Sequence, residues 1–145
     1  MPTPSGTMWA RALAVWALIA MTESVHGTLR QLFLAPLLDD FRARQVSVFT
    51  GSILIFLIAL LLIRWIGATR TRTLLAVGLL WLVLTLIFEV SLGRVLGIDW
   101  RRILADYDVR HGGLMLVGMV VLLLAPLAAA RLKERQSRIT AYRPQ

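Results

Sequence analysis

The amino-acid sequence predicts an all-α membrane protein with four transmembrane helices, arranged as two tandem parallel-repeat helical hairpins that each carry a short interfacial helix on the outer side. Three observations lead to this prediction: four long apolar stretches, a repeat at a constant offset of 66 residues, and a strong separation of charge between the connecting segments. Residues 1–145 are expected to form a single membrane domain.

The apolar stretches exceed what a soluble domain of 145 residues can bury, since 58% of the residues are hydrophobic and the mean hydropathy is +0.74. They cover residues 7–22 (interrupted by Arg11), 46–63, 73–88 and 112–130. Stretches of 16 to 19 residues span roughly 24 to 29 Å as helices, close to the ~30 Å hydrocarbon core. A β-barrel is disfavoured because the stretches are apolar on every face. The first stretch resembles a signal peptide, but no clean cleavage site follows, so we expect it to be retained.

A shift of 66 residues, without a gap, superimposes the two halves of the sequence, with repeat 1 over residues 7–66 and repeat 2 over residues 73–132. The matched pairs are Glu23 with Glu89, Gly27 with Gly93, Leu38 with Leu104, Asp40 with Asp106, Phe41 with Tyr107, and Arg44 with Arg110. Each half contains two spans, so both copies have the same orientation, which implies a pseudo-twofold axis along the membrane normal.

The charges lie mainly on one side of the predicted membrane. Segments 23–44 and 89–110 hold three and four residues of each sign, whereas the side with both termini holds nine basic residues and one acidic residue. Because Lys and Arg accumulate in short cytoplasmic loops, we predict a bacterial inner (plasma) membrane protein with both termini, including the basic tail 131–145, in the cytoplasm. We expect membrane lipids, and not nucleic acid, to be the partners of these basic groups.

The two outer segments carry apolar residues at roughly helical spacing. They are Leu32, Phe33, Leu37, Leu38 and Phe41 in segment 30–44, and Ile103, Leu104 and Tyr107 in segment 100–110. This spacing predicts a short amphipathic helix at the outer interface in each half, with Pro36 allowing a break in the first. Most tryptophans lie near predicted span ends and are expected to anchor there: Trp9, Trp16, Trp65, Trp81 and Trp100.

Glu23 and Glu89 each follow only about 16 apolar residues, so their carboxylates are predicted to lie just inside the bilayer, where an unpaired charge is costly. Asp40 and Asp106 each precede an arginine by four residues, which places acid and base on one helical face. The full candidate cluster is Glu23, Arg30, Asp40, Arg44, Glu89, Arg94, Asp106 and Arg110. Two interpretations stay open: a transport site, or structural ion pairs that recur because the hairpin was duplicated.

The two histidines depart from the repeat. His26 follows Glu23 by three residues, and His111 follows Asp108 by three, so each can share a helical face with a carboxylate. Together with Glu89 they could form a nitrogen and oxygen site that suits zinc or iron. A four-helix di-iron site needs two Glu-x-x-His motifs, however, and one is present here. Interfacial histidines bonded to a neighbouring loop are therefore favoured, and no cofactor is predicted beyond this metal possibility.

Three sequence segments resemble those of a family of small bacterial inner-membrane proteins with four transmembrane helices. They are ESVHGTLR at residues 23–30, FEVSLGR at residues 88–94 and WRRILADYDVRHGGLM at residues 100–115. The resemblance covers most of the chain from Glu23 to Pro126. It implies a bacterial inner-membrane setting and brings no established activity.

These patterns are compatible with three functions. We expect transport of, or a channel for, an ion or small polar solute, in a homo-oligomer whose Glu/Arg/Asp cluster faces the periplasm. The first alternative is an accessory or scaffold subunit of a larger membrane complex. The second is a membrane-embedded metal, redox or lipid-headgroup enzyme, which is the least favoured because the two histidines have no counterparts in the other half.

Overall fold

The computed structural model describes residues 5–142, and every regular element in that part of the chain is helical. The α-helices are α1 (Gly6–Leu29), α2 (Ala35–Leu38), α3 (Asp40–Ile66), α4 (Thr71–Val95), α5 (Trp100–Ala105) and α6 (Met115–Ala141). A π-helical turn covers Arg30–Leu34, and a 3₁₀ turn covers Val109–His111. Four helical stretches are long and apolar enough to cross a membrane: Gly6–Leu38, α3, α4 and α6. The predicted all-α, multi-pass membrane fold is confirmed.

The spans meet at two chemically different ends. The end that carries Asp40, Asp106 and the two glutamates is called the acidic end below. The opposite end is called the basic end; there Arg11 donates to the Trp65 carbonyl (3.0 Å), and Arg131 donates to Thr71 (2.8 Å). These contacts bring together the start of α1, the end of α3, the start of α4 and the end of α6.

The connection between the first two spans differs from the predicted one. Instead of a separate interfacial helix over residues 30–44, α1 continues through the π-helical turn into α2, and the chain reverses only at Asp39, where φ is 70°. The Asp39 carboxylate accepts the N–H of Arg42 (3.0 Å) and so caps α3. Pro36 does not break the helix, because the wider turn just before it accommodates a residue with no N–H and a bulky ring.

In the second half, a separate short helix does form. α4 ends at Val95, Gly97 has φ 73°, and α5 begins at Trp100. The chain then passes through the 3₁₀ turn before α6 starts at Met115. The two outer connections therefore have different shapes, although they align in sequence without a gap.

Two tryptophans join α1 to α4. Trp81 Nε1 donates to the Ala12 carbonyl (2.9 Å), and Trp16 Nε1 donates to Thr85 Oγ1 (3.1 Å). The two bonds advance in the same direction along both helices, so α1 and α4 run parallel. Trp81 is fully buried and Trp16 is half-buried. The prediction that these two tryptophans anchor at the membrane interface is wrong, because each indole N–H has its hydrogen-bond partner inside the bundle.

The hydrophobic core lies in the half of the bundle nearer the basic end. α1 packs against α3 and α4, and α6 packs against the same two helices. The buried core comprises mainly Met8, Ala12, Val15, Ile19, Ile55, Ala59, Ile63, Leu74, Val77, Trp81, Leu122, Ala125 and Ala129. Nearer the acidic end, the inward-facing positions are occupied by half-buried polar groups.

The closest helix approach in this core occurs at Gly78 of α4. A Cβ at that position would overlap the backbone carbonyl of Leu123 on α6. A backbone carbonyl cannot move aside as a flexible side chain can, so any larger residue would push the two helices apart.

We expect Gly78→Ala to lower the free energy of unfolding by about 1–3 kcal/mol, the usual cost of overpacking. Gly27→Ala is the matched control, because a Cβ there meets no atom within 4 Å and alanine is the better helix former. Denaturant unfolding in detergent micelles measures both variants. Equal stability of the two would contradict the close approach of α4 and α6.

Candidate functional site

A layer of ion pairs joins the two halves of the chain at the acidic end. Arg44 of α3 lies 3.3 Å from Asp40 and 3.4 Å from Asp106 in the second half. Arg102 of α5 donates to Asp40 in the first half (2.7 Å). We call Asp40, Arg44, Arg102 and Asp106 the surface pairs. Each half therefore supplies one acid and one base to the other.

A hydrogen bond from a side chain to the backbone also joins the two halves of the chain. The side-chain amide of Gln45 donates to the Gly112 carbonyl (3.1 Å). A Cβ at Gly112 would come within 2.7 Å of the Phe41 ring, so the loop before α6 lies directly on the start of α3. The surface pairs are thus held by packing as well as by charge.

The arginine that corresponds to Arg44 behaves differently. Arg110 stands four residues after Asp106, but no ion pair between them forms in residues 5–142, because the intervening chain is a turn and not an α-helix. Arg94 lies over the Trp100 ring at 5.1 Å, also away from the carboxylates. The structure thus brings Asp40, Arg44 and Asp106 together and leaves Arg94 and Arg110 apart.

Glu23 lies deeper in the bundle, where α1 faces α3. A Cβ at Gly51 would come within 2.6 Å of Glu23 Oε2, so the glycine makes room for the carboxylate. Oε2 lies 3.5 Å from Nδ1 of His26, and the Glu23 side chain is 27% exposed. Oε1 is buried without a hydrogen-bond partner in the described part of the chain.

Glu89 of α4 lies within electrostatic reach of the charges of Glu23, Arg30 and Asp106. Arg30 Nε and Ser47 Oγ are buried without hydrogen-bond partners among the described residues, like Glu23 Oε1. Ser47 precedes Gly51 by one helical turn, so it shares the face of α3 that meets Glu23. We call Glu23, Arg30, Ser47 and Glu89 the inner polar group.

The predicted ion pairs of the two glutamates with arginine do not form within residues 5–142. The contact that Glu23 makes within 4.0 Å in this range is with His26, and Glu89 has no such contact. The sequence could indicate that these carboxylates lie just inside the bilayer, but it could not indicate which arginines would come close to them. That depends on the route of the chain through the acidic end.

Tyr107 follows Asp106 of the surface pairs in the chain between α5 and the 3₁₀ turn. Burial raises the pKa of its hydroxyl, and the charges of Glu89 and Asp106 raise it further. The hydroxyl therefore keeps its proton, and its ability to donate a hydrogen bond, to a higher pH than an exposed tyrosine. Sequence analysis matched Tyr107 to Phe41 only as an aromatic position and gave it no polar role.

The two histidines have different kinds of contact. His26 Nε2 of α1 lies 2.8 Å from Thr50 Oγ1 of α3, and His111 Nδ1 lies 2.6 Å from Oδ2 of the nearby Asp108. The bond from His111 lowers the pKa of Asp108. No group of three or more His, Asp or Glu residues in the described ranges could hold a metal ion. Of the proposed ligands, His111 and Asp108 meet, and His26 does not join them in a metal site.

Comparison of the chain with protein-family models, with curated proteins and with solved structures finds no match. The fold and the site therefore define only a general class of protein. The chain is a multi-pass membrane protein with a layer of ion pairs at one end and half-buried polar side chains beneath it.

We expect Arg44 and Asp106 to be energetically coupled, and Arg110 and Asp106 to be independent. The double-mutant cycle of Arg44→Gln with Asp106→Asn should give a coupling of roughly 0.5–1 kcal/mol, since the pair is partly exposed. The control cycle of Arg110→Gln with Asp106→Asn should be additive within about 0.5 kcal/mol. Unfolding in one detergent measures both cycles. A larger coupling energy for Arg110 with Asp106 than for Arg44 with Asp106 would mean that Asp106 pairs with the arginine four residues after it.

Proposed function

We propose that the chain transports, or forms a channel for, an ion or small polar solute, with the inner polar group as its binding site. The observation that carries this proposal is the Glu23 carboxylate, which lies against Gly51 and has a buried oxygen without a hydrogen-bond partner in residues 5–142. A buried polar atom left unpaired costs about 1–3 kcal/mol. Ionisable groups retained inside a membrane domain despite such a cost generally mark pathways for ions or solutes.

The balance of charge favours a cation, including the proton. The inner polar group contains two carboxylates, Glu23 and Glu89, and one guanidinium, Arg30, so it carries more acidic than basic side chains. Asp106 adds nothing to this excess, because Arg44 pairs with it (3.4 Å). Carboxylates are the groups that cation pathways use, whereas anion pathways use Arg and Lys.

The surface pairs would act as the gate of this site. They connect α3 of the first half with α5 and the following turn of the second half, above the two glutamates. Opening them would separate the halves at the acidic end while the core near the basic end holds them together. Transporters built from repeats use such rocking of one repeat against the other.

The burial of several matched positions supports the repeat on which this gate depends. Met8 and Leu74, and likewise Ala59 and Ala125, correspond under the 66-residue shift and are buried in both halves. Such matching is expected of a duplicated hairpin.

The proposed setting is a bacterial inner membrane with the acidic end in the periplasm. Of the described residues, eight basic side chains and one acidic side chain, Glu134, belong to the basic end, which supports a cytoplasmic position for it. The basic residues are Arg11, Arg64, Arg70, Arg72, Arg131, Lys133, Arg135 and Arg138. Arg143, also in the predicted tail, lies outside the described residues.

Flux in proteoliposomes tests the transport proposal. We expect the wild type to move protons, Na⁺ or K⁺ faster than protein-free vesicles, as read by an entrapped indicator dye for each ion. Glu23→Gln combined with Glu89→Gln should lower the rate by about tenfold or more, equivalent to about 1.4 kcal/mol of lost stabilisation. Glutamine has the shape of glutamate, so the packing against Gly51 is retained.

Glu134→Gln is the matched control, because Glu134 pairs with Arg131 at the basic end (3.7 Å), away from the site. Its flux should equal that of the wild type. A wild-type rate no higher than that of empty vesicles for all three ions would count against a cation pathway, as would an undiminished rate in the double glutamate variant.

A second candidate function, an accessory subunit of a larger membrane complex, is favoured by a different feature. The Gly6–Leu38 span has 33 residues, or about 50 Å at helical rise, so it is longer than the hydrocarbon core. Its last turns expose Leu32 (62%), Phe33 (64%) and Leu37 (81%). An exposed apolar patch of this kind suits a protein partner.

Copurification tests this second candidate. Extraction in a mild detergent should retain a stoichiometric partner, and Phe33→Ser combined with Leu37→Ser should release it, because the patch would lose most of its apolar area. The exposed, lipid-level residue Leu61 supplies the matched control, as Leu61→Ser. Recovery of only the chain itself, as a monomer or homo-oligomer, would contradict this function.

A further inference from the structure

The basic end contains a groove that neither the fold nor the proposed transport uses. The groove lies between the end of α3 and the extended last turns of α6 and has a volume of about 560 Å³. Its lining residues are Arg64, Lys133, Gln136, Ser137, Thr140 and Ala141. The α6 residues recur every three or four positions, so they form one face of the helix.

The side chains of this groove include three that can donate hydrogen bonds to a ligand, Arg64, Lys133 and Gln136, and none of the lining residues is a carboxylate. The hydroxyls of Ser137 and Thr140 donate to the carbonyls of Lys133 (3.1 Å) and Gln136 (3.0 Å), one turn earlier in α6. Arg64 is held in place by its bond to Ser137 Oγ (2.7 Å). Such a set matches the oxygens of a phosphate group, which accept several bonds and carry negative charge.

The opposite face of α6 provides a contrast. It lines a second groove with Arg131, Glu134, Arg135 and Arg138. There a carboxylate lies among the arginines, and Glu134 pairs with Arg131 (3.7 Å). Both grooves are basic, but of the two only the groove at Arg64 combines basic groups with a side-chain amide and no acid.

The groove at Arg64 also lies at the edge of the membrane. The neighbouring Trp65 is 48% exposed, and Arg11 lies over its ring at 5.5 Å. Exposed tryptophans prefer the headgroup level of a bilayer. One turn earlier on α3, Leu61 is 73% exposed and lies on the face of Arg64. A phosphate in the groove would therefore have an apolar surface directly beside it for acyl chains.

We propose that the groove formed by Arg64, Lys133, Gln136, Ser137 and Thr140 binds the phosphate of an anionic phospholipid, whose acyl chains lie along Leu61. The groove discriminates by charge, since a zwitterionic headgroup brings a cation that the basic side chains repel. This inference does not depend on transport, because the groove is at the end of the bundle opposite the inner polar group.

Lipid binding to the purified full-length protein tests the site. Native mass spectrometry in detergent would measure dissociation constants for phosphatidylglycerol and for phosphatidylcholine with the same acyl chains. We expect phosphatidylglycerol to bind at least about tenfold more tightly, from roughly 1 kcal/mol for each basic group. Arg64→Gln combined with Lys133→Gln should remove most of this preference.

The matched control is Arg135→Gln combined with Arg138→Gln, which removes the same charge from the other face of α6. It should keep the preference within about twofold. Equal loss in both double variants would overturn the site in favour of general attraction to the basic end. Equal binding of the two lipids to the wild type would overturn it as well.

Two further measurements complete the test. Lys133→Gln alone should weaken phosphatidylglycerol binding, and it leaves the Arg64 to Ser137 bond intact in case the double variant does not fold. Glycerophosphoglycerol, the deacylated headgroup with the same singly charged phosphodiester, should not displace the lipid at equal concentration. Displacement would overturn the lipid assignment and indicate a site for soluble phosphates.

Discussion

The structure depends on one constraint, that polar groups in an apolar solvent must be satisfied by the chain itself. The hydroxyls of Thr22, Ser24 and Thr28 donate to carbonyls one turn earlier in α1, and the buried Trp81 donates to α1 across the core. The buried polar atoms of Glu23, Arg30 and Ser47 are exceptions, because they have no hydrogen-bond partner in the part of the chain that the structure describes. They cluster in the acidic half of the bundle, and this concentration is what separates a candidate site from the surrounding scaffold.

Core and site divide the bundle along its length. Near the basic end, small residues such as Ala12, Ala59 and Gly78 let the helices approach closely, and large apolar side chains fill the remaining space. Near the acidic end, contact between the halves relies on partly exposed ion pairs and one amide bond. Partly exposed ion pairs contribute little net stability, so the acidic end can change its contacts at a smaller energetic cost than the core can.

The sequence predicted the number of spans, their order and the position of the polar residues because these follow from local composition. It did not predict the course of the outer connections, since residues 30–44 suggested a separate interfacial helix with a possible break at Pro36, whereas the first helix continues to Leu38. The pairing of Arg44 with Asp106 could not be predicted either, because spacing describes neighbours on one helix and this pair joins two. The burial of Trp81 inside the bundle could not be predicted for a similar reason. Its partner, the Ala12 carbonyl, lies on another helix, and a sequence does not display such a contact.

The π-helical turn at Arg30–Leu34 has its counterpart, under the 66-residue shift, at residues 96–100, where the second half makes a turn and begins a new helix. Gly97, with φ 73°, corresponds to Gln31, which remains helical. Glycine enters positive φ freely, whereas glutamine does so only at a cost. The same number of residues thus follows two routes from glutamate to aspartate. The two outer connections differ in architecture at equal length, so the difference between them leaves the register of the flanking membrane spans unchanged.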